Sequence, residues 1–134
     1  PHRGSAIWVD QILSITKNEG IGQVQFDLSK PYCTNQELRK TACIEFIAQS
    51  FGYAVVLSDL LNITNVPKGQ HAFIVDVRNV DFHSNSEIFK MKNGEMLNIE
   101  TLCTNDFGNF KVVKGKVLLR DQILASADMK VFIN

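Results

Sequence analysis

"TACIEFIAQSFGYAVV", residues 41–56, decides the fold. It is almost wholly apolar, yet Glu45 stands inside it, with Cys43 and Ile44 before and Phe46 and Ile47 after. Apolar residues between 42 and 61 cover every side of a helix instead of forming one stripe. A helix that is apolar all round is normally enclosed by the rest of its molecule. Ahead of it, "TNQE" (34–37) has the capping-box form, in which side chains at both ends satisfy free backbone N–H groups. Beyond it, "PKG" (67–69) blocks further helix. Residues 34–62 therefore read as one long helix, or as a loop followed by a helix.

Outward from this segment the pattern is β. Toward the N-terminus, residues 7–15 are apolar with polar interruptions, and "KNEG" (17–20) is a turn. "GQVQFDL" (22–28) then alternates, placing Val24, Phe26 and Leu28 on one face. After Gly69 come "HAFIVDVRNVDF", "EMLNIETLCTND", "NFKVVKGKVLLRD" and "QILASADMKVFIN", four long β-type segments. "KNG" (92–94), "DFGN" (106–109) and "RDQ" (120–122) supply the turns. Two strands, one buried helix and four antiparallel strands predict an α+β domain, a sheet wrapped around a central helix. A helix with no free face needs more cover than one open sheet gives. Strong sheet curvature or a second subunit would supply it.

The bulk numbers narrow the function. The 134 residues suit one domain spanning 1–134. Lys+Arg and Asp+Glu number 14 each, and no basic patch exceeds the pair Arg39 and Lys40, which argues against nucleic acid. The cysteines, Cys33, Cys43 and Cys103, are odd in number and far apart, with no metal-ligand spacing. A reduced, cytoplasmic chain is the expectation. The longest apolar stretch is broken by Gln49, Ser50, Gly52, Ser58 and Asp59, too polar to span a bilayer, and the N-terminus has no signal-peptide pattern.

Glu45 is the main chemical signal. A carboxylate in apolar surroundings is costly without partners, and such groups cluster at functional sites. The alternative is a solvent-facing slot, since its helical neighbours Leu38, Ala42, Gln49, Gly52 and Val56 make a small, partly polar face. Gln49, four residues on, can hydrogen-bond it. His2 and Arg3 open the chain as a candidate acid/base and anion contact, or as a solvated tail. His71 and His83 read as structural or exposed, and Cys43 as a small core residue. No nucleophile elbow or phosphate loop is present in the sequence.

Three segments together carry a resemblance. "PHRGSAIWVDQILSI" resembles the opening "PHRxPxxxVDxVL" of the 3-hydroxyacyl-ACP dehydratases (FabA/FabZ-type hotdog proteins), "IEFIAQS" resembles their central-helix motif, and "ILASADMKVF" resembles their closing strand. The resemblance implies the hotdog fold, a long central helix wrapped by a curved antiparallel sheet, with two protomers joined into one sheet. It implies sites at the dimer interface, where a histidine from one protomer and the helix acid from the other remove water from a 3-hydroxyacyl thioester. Glu45 matches the acid and Gln49 the motif glutamine. His2 is the only family-matched histidine. The resemblance puts Gln49, Arg3, Lys40 and Thr41 at the substrate, with helix N-terminal N–H groups polarising the thioester carbonyl. It implies no metal or other cofactor, and an acyl carrier protein as partner.

Two departures sharpen this. The family's "GHF" histidine would fall fourteen residues before the acid, where this chain has Pro31, and "RKT" (39–41) replaces "PGV". The dehydratase-like subunits of aryl-polyene pigment clusters resemble the chain better. They keep "PHR" and "IExxAQ", lack "GHF", and have "NPF" where this chain has Lys30, Pro31 and Tyr32. Three functions are therefore in play: a dehydratase in fatty-acid or polyene synthesis, a non-catalytic acyl-binding subunit of a heterodimeric dehydratase, or a hotdog thioesterase. The assembly would be a homodimer, or a heterodimer with another hotdog subunit.

Overall fold

The computed structural model describes residues 8–16, 18–60 and 72–133. In chain order it contains β1 (Gln11–Ile15), β2 (Glu19–Gln25), β3 (Cys33–Thr34), β4 (Glu37–Leu38), α1 (Ala42–Leu60), β5 (Ala72–Phe82), a 3₁₀ turn (Ser86–Phe89), β6 (Met96–Phe107), β7 (Phe110–Leu119) and β8 (Gln122–Ile133). Six strands form one antiparallel sheet in the order β1-β2-β6-β7-β8-β5, while β3 and β4 pair separately. The expected α+β hotdog architecture is present, with the helix packed on one face of the sheet. The turns fall where the sequence placed them: Gly94 and Gly108 take φ of 88° and 77°, and Arg120 takes 56°.

The helix lies close because the sheet leaves room for it. Gly20, Thr101, Gly115 and Ala127 stand side by side across β2, β6, β7 and β8, and all are small. A Cβ on Gly115 would overlap the Ile47 side chain, and one on Gly22 would overlap Ser50. A Cβ on Gly20 would lie 3.2 Å from Ala54. The helix answers with Cys43, Phe46, Ile47, Ser50, Phe51 and Ala54, all buried and spaced three or four apart. Burying a side chain as large as Phe46 or Ile47 contributes about 1.5–3 kcal/mol each. Strand residues complete the core by alternation, with Leu97 and Ile99 on β6 and Val113 and Val117 on β7.

The opposite sheet face is polar and charge-matched. Asp76 stands opposite Lys130, Arg78 opposite Asp128, and Glu100 opposite Lys116. Opposite charges at cross-strand positions support the sheet. The edge strand β5 differs, because Phe73, Ile74, Val75 and Val80 on it are exposed.

One sequence expectation changes. "TNQE" does not cap a helix: Asn35 and Gln36 adopt φ of 53° and 62°, turning β3 back onto β4, and the helix starts at Ala42. Ile44, Glu45, Ala48, Gly52 and Tyr53 form a half-exposed flank of the helix, the side on which one open sheet gives too little cover. His2, Arg3, His71 and the "PKG" turn lie outside the described residues.

Candidate active site

Glu45 sits in the first turn of α1, where the helix dipole favours a negative charge. It lies on the half-exposed flank, one face round from the core residues Phe46 and Ile47. Gln49, one turn on, is 2% exposed. Its Nε2 donates to Glu45 Oε1 at 3.1 Å. Its Oε1 accepts from the backbone N–H groups of Trp8 at 2.9 Å and Val9 at 3.2 Å. The predicted Glu45–Gln49 pair is thus present, and the chain just after the "PHR" opening is fastened to it.

Trp8, Val9 and Asp10, the described start of the N-terminal motif, lie beside this pair. Val9 is 3% exposed, and Asp10 accepts from the Gln25 N–H at 2.6 Å. Trp8 meets the rings of Tyr32 and Phe46 edge-on, at centroid distances of 5.6 and 6.0 Å. Tyr32 and Phe46 make a third such contact at 5.3 Å. These contacts are aromatic packing, with no proton carrier among them.

Position 31, where the usual histidine would stand, is an exposed proline in a turn. Its neighbour Tyr32 is fully engaged elsewhere. The Tyr32 hydroxyl accepts from the Asp27 N–H at 2.9 Å and donates to the Gln25 carbonyl at 3.4 Å, and burial pushes its pKa up to about 12. His83, the histidine among the described residues, accepts the Asn85 N–H on Nδ1 at 3.0 Å in the loop after β5.

Lys40 and Thr41 stand ahead of the helix, in a depression of about 420 Å³ shared with Arg39, Glu37, Ser86 and Phe89. The Lys40 ammonium lies 5.4 Å from the centre of the Phe89 ring. Glu45 does not line this depression. The first helical N–H groups, those of Ala42, Cys43 and Ile44, bond to the carbonyls of Arg39, Lys40 and Thr41. Those three donors are therefore taken up by the chain itself. Sequence reasoning passed over Tyr53, eight residues after Glu45 on the same flank. Burial, and then the Glu45 charge, raise the pKa of its phenol. Its helical spacing from Glu45 was the available signal.

The Cys43 thiol is pushed up to about 12 by burial, which leaves it without nucleophilic character. Among the described residues no helix is long and apolar enough to cross a membrane.

The comparisons with known proteins agree with this fold. The family pattern described as ApeP-like, ApeP dehydratase, matches residues 1–134. No curated protein matches the chain. The dehydratase heterocomplex ApeI:P from Xenorhabdus doucetiae is similar in structure, with a TM-score of 0.78 and 14% identity, covering 99% of this chain and 86% of that one. A thioesterase from Haemophilus influenzae gives 0.64 and 9%, covering 92% and 77%. A hypothetical thioesterase with coenzyme A from Streptococcus pneumoniae gives 0.66 and 12%, covering 92% and 87%. At these identities the structural likenesses establish the fold.

Proposed function

The chain belongs to the ApeP-like dehydratase family, and from that premise we propose that it dehydrates a 3-hydroxyacyl thioester borne on an acyl carrier protein, with Glu45 as acid/base. The observation that carries this reading is the Glu45 carboxylate on the open helix flank, gripped by Gln49. Elimination breaks the C2–H bond, forms the C2–C3 double bond and expels the C3 hydroxyl. One group must take the C2 proton and another must give a proton to the leaving oxygen, which departs as water. Glu45 supplies one of these. Lys40 and Thr41, just ahead of the first turn of the helix, are the groups we assign to the thioester carbonyl.

The other proton carrier has two sources in this reading. One is His2, with Arg3 beside it as the anion contact. The other is a second hotdog subunit. The exposed Pro31 and the locked Tyr32 hydroxyl favour the second source, because among the described residues no proton carrier stands at that place. The ApeI:P dehydratase is itself a heterocomplex. The exposed apolar edge of β5 is the seam we assign to such a partner. The extreme form of this reading is a subunit that binds acyl chains and does no chemistry.

Product analysis tests the proposal. The chain, alone and mixed with a histidine-bearing hotdog subunit, is given a 3-hydroxyacyl carrier protein. Enoyl product is expected. Free acid would make the chain a thioesterase and overturn the dehydratase reading. Enoyl product from the mixture that persists undiminished with Glu45→Gln would leave the chain a non-catalytic partner.

A further inference from the structure

The Gln49 amide faces two elements at once. Trp8 and Val9 lie just before the point where the chain joins the sheet, since the backbone pairing with β2 begins at the Asp10 N–H, bonded to Gln23 at 2.9 Å. Their own N–H groups are paired by Gln49 Oε1. Buried backbone N–H groups need such an acceptor. The other end of the same amide donates to Glu45. Backbone N–H groups only donate and a carboxylate only accepts, so the amide has a single workable orientation. Turning it over would set donor against donor and acceptor against acceptor. Among uncharged side chains of this length, glutamine alone supplies both functions.

We infer that Gln49 is a positioning residue that couples the seating of the N-terminal segment to the orientation of Glu45. The N-terminal segment carries His2 and Arg3, so their tether and the helix acid are registered against each other by one buried amide. Gln49 acts through Glu45 and the backbone, with both ends of its amide engaged by protein groups. The effect on rate rests on the dehydratase reading. The effect on the N-terminal segment does not.

Two substitutions separate the halves. Gln49→Glu keeps an acceptor for Trp8 and Val9 but sets a carboxylate against Glu45. Gln49→Met keeps the volume and removes both functions. Amide hydrogen exchange at Trp8 and Val9 is expected to stay slow in Gln49→Glu and to quicken about tenfold or more in Gln49→Met. On a 3-hydroxyacyl carrier substrate, kcat is expected to fall about tenfold or more in both variants with KM little changed, as for a misplaced catalytic group. In Gln49→Glu the rate recovers toward low pH, where the introduced carboxyl is protonated and donates again. Unchanged exchange in Gln49→Met would overturn the seating half. Wild-type kcat in Gln49→Glu throughout neutral and alkaline pH would overturn the orienting half. Absence of turnover in the wild type would count against the dehydratase reading alone, because the exchange pattern reports the coupling independently.

Discussion

Tyr32 shows how a single side chain changes the meaning of a motif. The sequence exposes the lost histidine at Pro31, but it does not show that the next residue closes the gap with structure in place of chemistry. The reason is physical: the Tyr32 hydroxyl bonds to backbone groups of Gln25 and Asp27, and backbone partners leave no trace in residue pattern. Its folded pKa of about 12 lies above the ordinary value of 10, so folding favours the neutral phenol. That contribution is complete below about pH 10 and is lost as pH climbs from there to about 12. In an ultraviolet titration, Tyr32 is expected to ionise together with alkaline unfolding, and Tyr32→Phe to abolish that step. A Tyr32 transition near 10 in the intact fold would contradict the assignment. At neutral pH, Tyr32→Phe leaves the Asp27 N–H without its acceptor and is expected to cost about 1–3 kcal/mol in a denaturant melt.

At the scale of elements, the helix and its seat were only partly legible. The apolar run of 42–61 announced the helix, and period-two alternation announced the strands. The flank holding Glu45 is half-exposed among the described residues, so one sheet does not supply the cover that the apolar run calls for. "TNQE" misled because the same short polar residues serve helix caps and left-handed turns, and Asn35 and Gln36 took the turn. The row of small residues beneath the helix was also hidden, since its members come from different strands and meet only through register. Gly115→Ala should press a methyl group into Ile47 and destabilise by about 1–3 kcal/mol. Ser50→Ala should go the other way. The Ser50 hydroxyl is buried without a hydrogen-bond partner among the described residues, so its removal is expected to be neutral or to stabilise by up to about 1 kcal/mol. Paired denaturation curves check both signs, and a large loss from Ser50→Ala would show that the hydroxyl has a partner.

At the scale of the molecule, the sequence already carried the hotdog resemblance through three motifs in order, while the seam could be placed only once the strand order was known. β5 follows the helix in sequence yet ends at the edge of the sheet, beside the last strand β8. Its Val75 is 56% exposed. Val75→Lys is therefore expected to leave the melting midpoint of the isolated chain nearly unchanged while weakening assembly about tenfold or more, as read by sedimentation. Intact assembly in that variant would move the seam elsewhere. In the function we propose, the Glu45 site and the open edge belong to one account: this chain brings a carboxylate, and His2 or a second subunit completes the acid/base pair. The most direct test is turnover of a 3-hydroxyacyl carrier protein by the assembled protein carrying Glu45→Gln. The account predicts a loss of about 10²–10⁴-fold with folding and assembly intact. Wild-type turnover in that variant would contradict it.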